Sequence, residues 1–581
     1  MTRKPILAFE DLNVWFGVRP DNPGFHVVKG VNIALKPGER FGLVGESGSG
    51  KTTTIMAAMG LLPSSAEVSG RVLLEGRDIL RDGEKSVAPH RWKDIAMVFQ
   101  GAMSAFNPVK TVGWQIAEAL DVHNVARGVA AERRVGELLE LVGITAAQSA
   151  RFPHEFSGGM RQRAMIAMAL ACEPKVLLAD EPTTALDVMV QDQVLKLLVR
   201  LSQELNLALI LVTHDLAIVA QNCHRAAVML GGEIVEQGSV SDLYHRPQHD
   251  YTRKLFEATP DVFAVARKPE TAKATSAAPP LLQVGHLKVS YPRPRSLREV
   301  LRREKPQAPL VVNDISLTVD RGEMVALVGQ SGSGKTTAMQ AVLGMVKSQG
   351  GTITLNGRDV TGLGMREWRP LRRQIQMIYQ DPYESLDLRY RVRDTVAEPL
   401  RIHRIAATAL EREALVVEAL ERVGLTPAAR YLGRFPHELS GGQRQRVAIA
   451  ASIVLKPELL LADEPVSMLD VSVRAGVLHL LDELRRDARM GILMITHDLS
   501  TAANYADRIA VMHQGRIVEQ GPAHQVIHAP EADYTKALLA SIPDPDPDPD
   551  RRAAGDAVSS RRQPSTALPD HVSESLRHKQ W

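Results

Sequence analysis

The feature that most constrains this chain is a repeat whose period is a whole domain. GESGSGKTTT at Gly45 to Thr54 returns as GQSGSGKTTA at Gly329 to Ala338, with Lys51 and Lys335 standing 284 positions apart (335 − 51). SGG at Ser157 and Ser440, ADEP at Ala179 and Ala462, and THDL at Thr213 and Thr496 return in the same order at 283 (462 − 179). Several blocks in one order at a near-constant offset exclude a short-period solenoid and require two copies of one domain. The length of 581 residues agrees, since single cores typically stop growing at about 250 to 300 residues.

Each copy opens with alternating extended segments and then gives strand, Gly-rich loop and helix. FGLV precedes Gly45, and Ile55, Met56 and Met59 form an apolar face after it. ERRVGELLELVGI and REALVVEALERVGL lie mid-copy with helical spacing, and the apolar runs VLLAD and LALILV follow. The order predicts an α/β core with a helical insertion. Ala266 to Pro280 lacks a periodic apolar face and reads as a linker between domains 1–265 and 281–545. The basic segment Arg293 to Gln307 reads as a solvated loop, and residues 546–581 are too polar to fold alone, so disorder is expected there. A net charge of +3 gives no argument for a nucleic-acid partner. No apolar run reaches the roughly 20 residues of a membrane-spanning helix, and the start has no signal-peptide core, which reads as cytoplasmic. Cys172 and Cys223 are too few for a disulfide framework or a four-thiolate zinc site and are expected in the core.

Gly45, Gly50, Lys51 and Thr52, and again Gly329, Gly334, Lys335 and Thr336, match GxxxxGK[ST]. In that pattern the backbone wraps phosphate oxygens, the lysine reaches the outer phosphates and the threonine hydroxyl binds Mg²⁺. VLLADEP and LLLADEP end apolar strands with two carboxylates. Asp180 and Asp463 are placed to hold Mg²⁺; Glu181 and Glu464, one residue on, are placed to polarise an attacking water. A structural ion pair is the alternative for acids at buried strand ends. His214 and His497 follow the next strands, where an imidazole could hydrogen-bond the terminal phosphate; a lone histidine there would read as structural, but position and repetition favour the phosphate.

These motifs, together with a glutamine after a strand (Gln100 in MVFQ, Gln380 in MIYQ), resemble the ATPase subunits of ABC transporters over nearly all of residues 8–543. The resemblance implies two tandem P-loop NTPase domains of α/β class, each a RecA-like core with an antiparallel β subdomain and a helical subdomain. It implies two ATP sites shared head-to-tail between the halves. Gly45, Ser47, Gly48, Gly50, Lys51, Thr52, Thr53, Gln100, Asp180, Glu181 and His214 would face Ser440, Gly441, Gly442 and Gln443. Gly329, Ser331, Gly332, Gly334, Lys335, Thr336, Thr337, Gln380, Asp463, Glu464 and His497 would face Ser157, Gly158, Gly159 and Met160. The implied catalytic residues are Glu181, His214, Glu464 and His497. The implied Mg²⁺ ligands are Thr52, Gln100 and Asp180 in one site and Thr336, Gln380 and Asp463 in the other. Asp187 and Asp470 match the segment that crosses the interface. Tyr291 in LKVSY matches the aromatic that stacks on adenine; aligning Leu12 with Leu287 places Phe16, not Trp15, in that register, because neighbouring strand residues face opposite sides.

Two fused halves also occur in F-type translation factors and repair ATPases, so a soluble ATPase acting on ribosome or DNA stands as the alternative. The segments QGAMSAFNPVKTVG and QDPYESLD, and the domain endings HDYTRKLFEATPD and ADYTKALLASIPD, resemble instead the dipeptide, oligopeptide and nickel importers. That branch implies two integral-membrane permease subunits, an extracytoplasmic solute-binding protein and a peripheral place on the cytoplasmic face of the inner membrane. Peptides are the default substrate, with glutathione, opines, nickel chelates and short glycans open. The Cys-rich ending of many relatives does not occur in the sequence, so no iron-sulfur site is carried over. Met160, where the second copy has Gln443, is expected to forfeit about 1 kcal/mol of contact and to make the two ATP sites mildly unequal.

Overall fold

The computed structural model describes residues 4–18, 23–101, 105–184, 186–257, 259, 262, 279–291, 309–381, 385–467, 469 and 471–547. Most of the expected linker, the basic segment 293–307, Asp470 and nearly all of the tail lie outside the described residues, as do 102–104 and 382–384 in the segments after the glutamines. The first half contains β1 (Leu7–Phe16), β2 (Phe25–Leu35), β3 (Arg40–Val44), β4 (Ala66–Leu74), β5 (Arg77–Asp78), β6 (Ile95–Val98), β7 (Val176–Asp180), β8 (Ala208–Thr213), β9 (Arg225–Leu230) and β10 (Glu233–Ser239). The second repeats them as β11 (Leu282–Ser290), β12 (Leu310–Val319), β13 (Met324–Val328), β14 (Gly350–Leu355), β15 (Arg358–Asp359), β16 (Ile375–Ile378), β17 (Leu459–Asp463), β18 (Gly491–Thr496), β19 (Arg508–His513) and β20 (Arg516–Pro522).

Two sheets build each half. An antiparallel sheet has the order β2-β1-β4-β5, repeated as β12-β11-β14-β15. The larger sheet runs β10-β9-β3-β8-β7-β6, repeated in the second half, and is parallel apart from its β10 edge. Its central strands are buried on both faces, which explains their uninterrupted apolar runs. Along β8, Leu209 and Leu211 enter the core shared with the helical insertion, while Ala208, Ile210 and Val212 enter the core shared with β1 and the helix Lys51–Ala58.

The insertion between β6 and β7 contains the helices Val112–Val122, Gly128–Leu141 and Gly158–Ala169. Gly128–Leu141 buries Ala131, Val135, Leu138 and Leu139, the i, i+4, i+7, i+8 stripe read from the sequence. Its counterpart Ala409–Arg422 starts with a capping box: Thr408 Oγ1 accepts from the Glu411 N–H at 3.2 Å, and the Glu411 carboxylate accepts from the Thr408 N–H at 3.1 Å. The halves also touch. Val262 is buried in a core cluster of the second half, Met189 packs on that cluster, and the helix Val188–Glu204 packs against Asp533–Ala540. Both cysteines are buried, and burial pushes their thiols up to about 11 at Cys172 and about 12 at Cys223, so neither is a ready nucleophile.

Candidate active site

The parallel register decides which motifs meet. Val44 pairs with Thr213, Asp180 with Val212 and Val98 with Ala179, so β3, β7, β8 and β6 end at one edge of the sheet. Loops leaving the carboxyl ends of such strands are where open α/β sheets place ligands. The P-loop therefore lies beside Asp180, Glu181, His214 and Gln100, and the second half repeats the arrangement.

Lys51 is 5% exposed, and its ammonium donates to the carbonyls of Gly45 at 2.8 Å and Glu46 at 2.7 Å. Lys335 does the same to Gly329 and Gln330, both at 2.7 Å; burial pushes its pKa down, against the opposing charges of Glu464 and Asp463. Glycine is required at the loop's start: a Cβ on Gly45 would stand 2.2 Å from the Met229 carbonyl, and one on Gly329 2.1 Å from that of Met512. The Thr52 hydroxyl donates to Asp180 at 3.0 Å, and that of Thr336 to Asp463 at 3.4 Å. Burial pushes both aspartates up to about 6, against the lowering effect of those hydroxyls and of the lysines.

The glutamates sit in a net of donors. Glu181 accepts from Gln100 Nε2 at 2.9 Å and Thr184 Oγ1 at 2.8 Å, and pairs with His214 Nδ1 at 3.1 Å. Glu464 accepts from Gln380 Nε2 at 2.9 Å and pairs with His497 Nδ1 at 3.2 Å. Burial acts to raise both glutamate pKa values, but the histidines and lysines outweigh it and hold them below the usual range. The hydrogen bond that His214 donates to Glu181 holds its imidazole above the usual value despite burial. Burial acts to lower His497, and Glu464 outweighs it. Both glutamates have left-handed φ, 41° and 45°, a strained conformation for a non-glycine residue and one that recurs at functional positions.

A hydroxyl, a carboxylate and the glutamine amide oxygen, whose nitrogen is bound to the glutamate, make a hard oxygen set that suits Mg²⁺. The buried aspartate beside Thr52 or Thr336 also gains from a cation. Among the described residues no cluster of three or more His, Cys, Asp or Glu forms a protein-only metal cage.

Ser157 and Ser440 cap the helices Gly158–Ala169 and Gly441–Ile453, each accepting the N–H three residues on at 3.3 Å. Gln443 closes the cap by accepting the Ser440 N–H at 3.1 Å, a bond that Met160 has no atom to make. Asp187 caps the helix Val188–Glu204 through the Val190 N–H at 3.1 Å. Trp15 pairs opposite His26 and stacks on it at 4.2 Å, whereas Phe16 packs on the core that holds Ile55. Tyr291 is 46% exposed, with its hydroxyl 3.2 Å from Thr337 Oγ1. Sequence reading missed Thr184, whose signal was only its place three residues after Glu181. It also missed a role for the tyrosine of DYT, present in both domain endings at an offset of 283 (534 − 251).

Two ATP-binding cassettes in tandem is the class that this fold and site define. The family model described as ABC transporter matches residues 28–184 and 312–467. The model for the oligopeptide/dipeptide transporter C-terminal region matches 235–284 and 518–566. The chain is 41% identical to the glutathione import ATP-binding protein GsiA of Escherichia coli O157:H7 over 566 residues, 93% of this chain and 89% of that one. It is 42% identical to the peptidoglycan transport ATP-binding protein YejF of Agrobacterium fabrum over 543 residues, 93% of this chain and 96% of that one. Among solved structures, cbiO1 from Clostridium perfringens, part of an ABC transporter complex, matches 43% of this chain and 91% of its own at 27% identity, with a TM-score of 0.38. The chain belongs to the ABC transporter family, as an ATPase with both of its ATPase domains in one polypeptide.

Proposed function

We propose that the chain hydrolyses ATP at two sites shared head-to-tail between its halves, and so energises import of peptides or related small solutes through a binding-protein-dependent transporter. The observation that carries the sites is the same constellation twice: a buried P-loop lysine, a Thr–Asp pair, and a glutamate held by glutamine and histidine at one sheet edge. The ionised glutamate orients water for attack on the terminal phosphate; His214 or His497 spends Nδ1 on it and offers Nε2 to a phosphate oxygen. Thr52, Asp180 and Gln100, or Thr336, Asp463 and Gln380, hold Mg²⁺, which when bound neutralises charge on the phosphates. Phe16 and Tyr291 stack on adenine.

Contacts between the halves support the pairing. Gln330 of the second P-loop reaches Met189 Sδ at 3.6 Å, the Asp187 charge bears on Lys335, and the Arg474 charge bears on His214. The relatives named for import and the transporter C-terminal region found in both halves support two membrane permeases and a solute-binding protein as partners. No helix among the described residues is long and apolar enough to cross a membrane, in keeping with peripheral attachment at the cytoplasmic face. Substituting Glu181→Gln together with Glu464→Gln tests the chemistry: ATP binding should persist and turnover should vanish, and wild-type hydrolysis would refute the assignment. Two membrane permeases should co-purify with the native chain; ribosomes or DNA in their place would sink the transport reading.

A further inference from the structure

Both domain endings carry the phrase DYT, which the site described so far leaves without a role. In the first half the helix Asp250–Glu257 brings Tyr251 to the P-loop, where its hydroxyl accepts the Glu46 N–H at 3.2 Å. In the second, Asp533–Ala540 brings Tyr534 to the Gln330 N–H at 3.1 Å. Glu46 and Gln330 are also the residues whose carbonyls hold the Lys51 and Lys335 ammonium groups, each at 2.7 Å. One loop residue is thus gripped at its N–H by the tyrosine and at its carbonyl by the lysine.

The grip has a fixed base. Glu236 on β10 accepts the N–H groups of Gln248 at 2.8 Å and His249 at 3.0 Å, just before the first of these helices. Glu519 on β20 does the same for Glu531 at 2.8 Å and Ala532 at 3.1 Å. Two donors on one carboxylate hold the chain where each helix begins, so the tyrosine arrives with little freedom left to lose. In the second half the Tyr534 ring also stacks on His513 at 4.0 Å.

We infer that Tyr251 and Tyr534 are positioning residues for ATP binding, each fixing the first turn of the P-loop in its own half and so the place of its lysine. The inference rests on the P-loops being the ATP sites. Phenylalanine keeps the ring and its packing and removes only the hydroxyl, so the substitution isolates the hydrogen bond.

The experiment is isothermal titration of the full chain with a non-hydrolysable ATP analogue and Mg²⁺. Lys335→Ala leaves the Lys51 site; there, adding Tyr251→Phe should weaken binding roughly three- to tenfold, the worth of one net hydrogen bond, and adding Tyr534→Phe should leave it nearly unchanged. Lys51→Ala should reverse the pattern. In steady-state assays the same variants should raise KM for ATP by a similar factor and change kcat little. A merely structural tyrosine would weaken both sites alike or neither, and either result overturns the proposal. Binding that survives Lys51→Ala combined with Lys335→Ala overturns the ATP-site reading and this proposal with it, so the two failures are told apart.

Discussion

Met160 and Gln443 differ by one hydrogen bond, and the structure places that bond inside the protein. The resemblance places the glutamine toward the nucleotide; its carboxamide oxygen also accepts the N–H of Ser440 and closes a capping box. Met160→Gln should supply the missing bond at Ser157 and stabilise the first half by about 0.5–1 kcal/mol, read as a higher denaturant midpoint. Gln443→Met should do the reverse in the second. A second inequality lies at the glutamates. Thr184 donates to the Glu181 carboxylate at 2.8 Å, whereas its counterpart Ser467 donates to the Glu464 backbone carbonyl at 3.2 Å. With the other site silenced by Glu464→Gln, Thr184→Val should slow turnover roughly three- to tenfold by freeing the carboxylate from a donor that fixes it. With Glu181→Gln, Ser467→Ala should slow it less, and equal effects would remove the claimed asymmetry. Lys51, Thr52, Asp180 and Glu181 were legible in the sequence because short motifs at strand ends carry them. Thr184 and the DYT tyrosines were not: no periodicity announces a hydroxyl, and Tyr251 stands 205 residues from Glu46.

The helices behind the Ser157 and Ser440 caps lie against those that follow the two ADEP motifs, and glycine sets the spacing. A Cβ on Gly159 would stand 2.4 Å from Val190 Cγ1, and one on Gly442 2.5 Å from Val473 Cγ1, too close in both halves for either side chain to stay where it is. Gly159→Ala should therefore cost about 1–3 kcal/mol of overpacking. Val190→Ala in the same chain should return most of it, a coupling that a double-mutant cycle measures directly. If the costs simply add, the two helices do not meet as described. Elements of this kind were mostly legible. The insertion helices announced themselves by their stripes, and the sheet strands by apolar runs buried on both faces. The strand β1 was harder, since its pairing with β4 shifts between Glu10 and Asn13 and breaks the simple alternation. The choice of Phe16 over Trp15 came from alignment with Tyr291; the structure stacks Trp15 on His26 and packs Phe16 on the core that holds Ile55.

At the scale of the whole chain, duplication was legible from the offset of the repeats, and the resemblance named Asp187 for the interface; the particular contact was not legible, because no sequence pattern links Met189 to Gln330 across 141 residues. The meeting matters because it joins one half's interface helix to the other half's phosphate loop. The helix Val188–Glu204 starts at the Asp187 cap, carries Met189 to the side chain of Gln330, and packs against Asp533–Ala540, whose Tyr534 holds the Gln330 N–H. The second P-loop is thus held by its own half and touched by the other, which on the proposed function couples nucleotide binding there to how closely the halves approach. With Cys172 and Cys223 replaced by serine, Met189→Cys and Gln330→Cys should become cross-linked by a short bifunctional maleimide within a single chain, seen as a mobility shift on a denaturing gel. On the proposed cycle ATP favours the closed pairing and the halves part to release product, so ATP should speed the cross-link, and the linked chain should bind nucleotide and lose turnover. Cross-linking only between separate chains, or full turnover by the linked chain, would mean that the contact belongs to no step of the cycle.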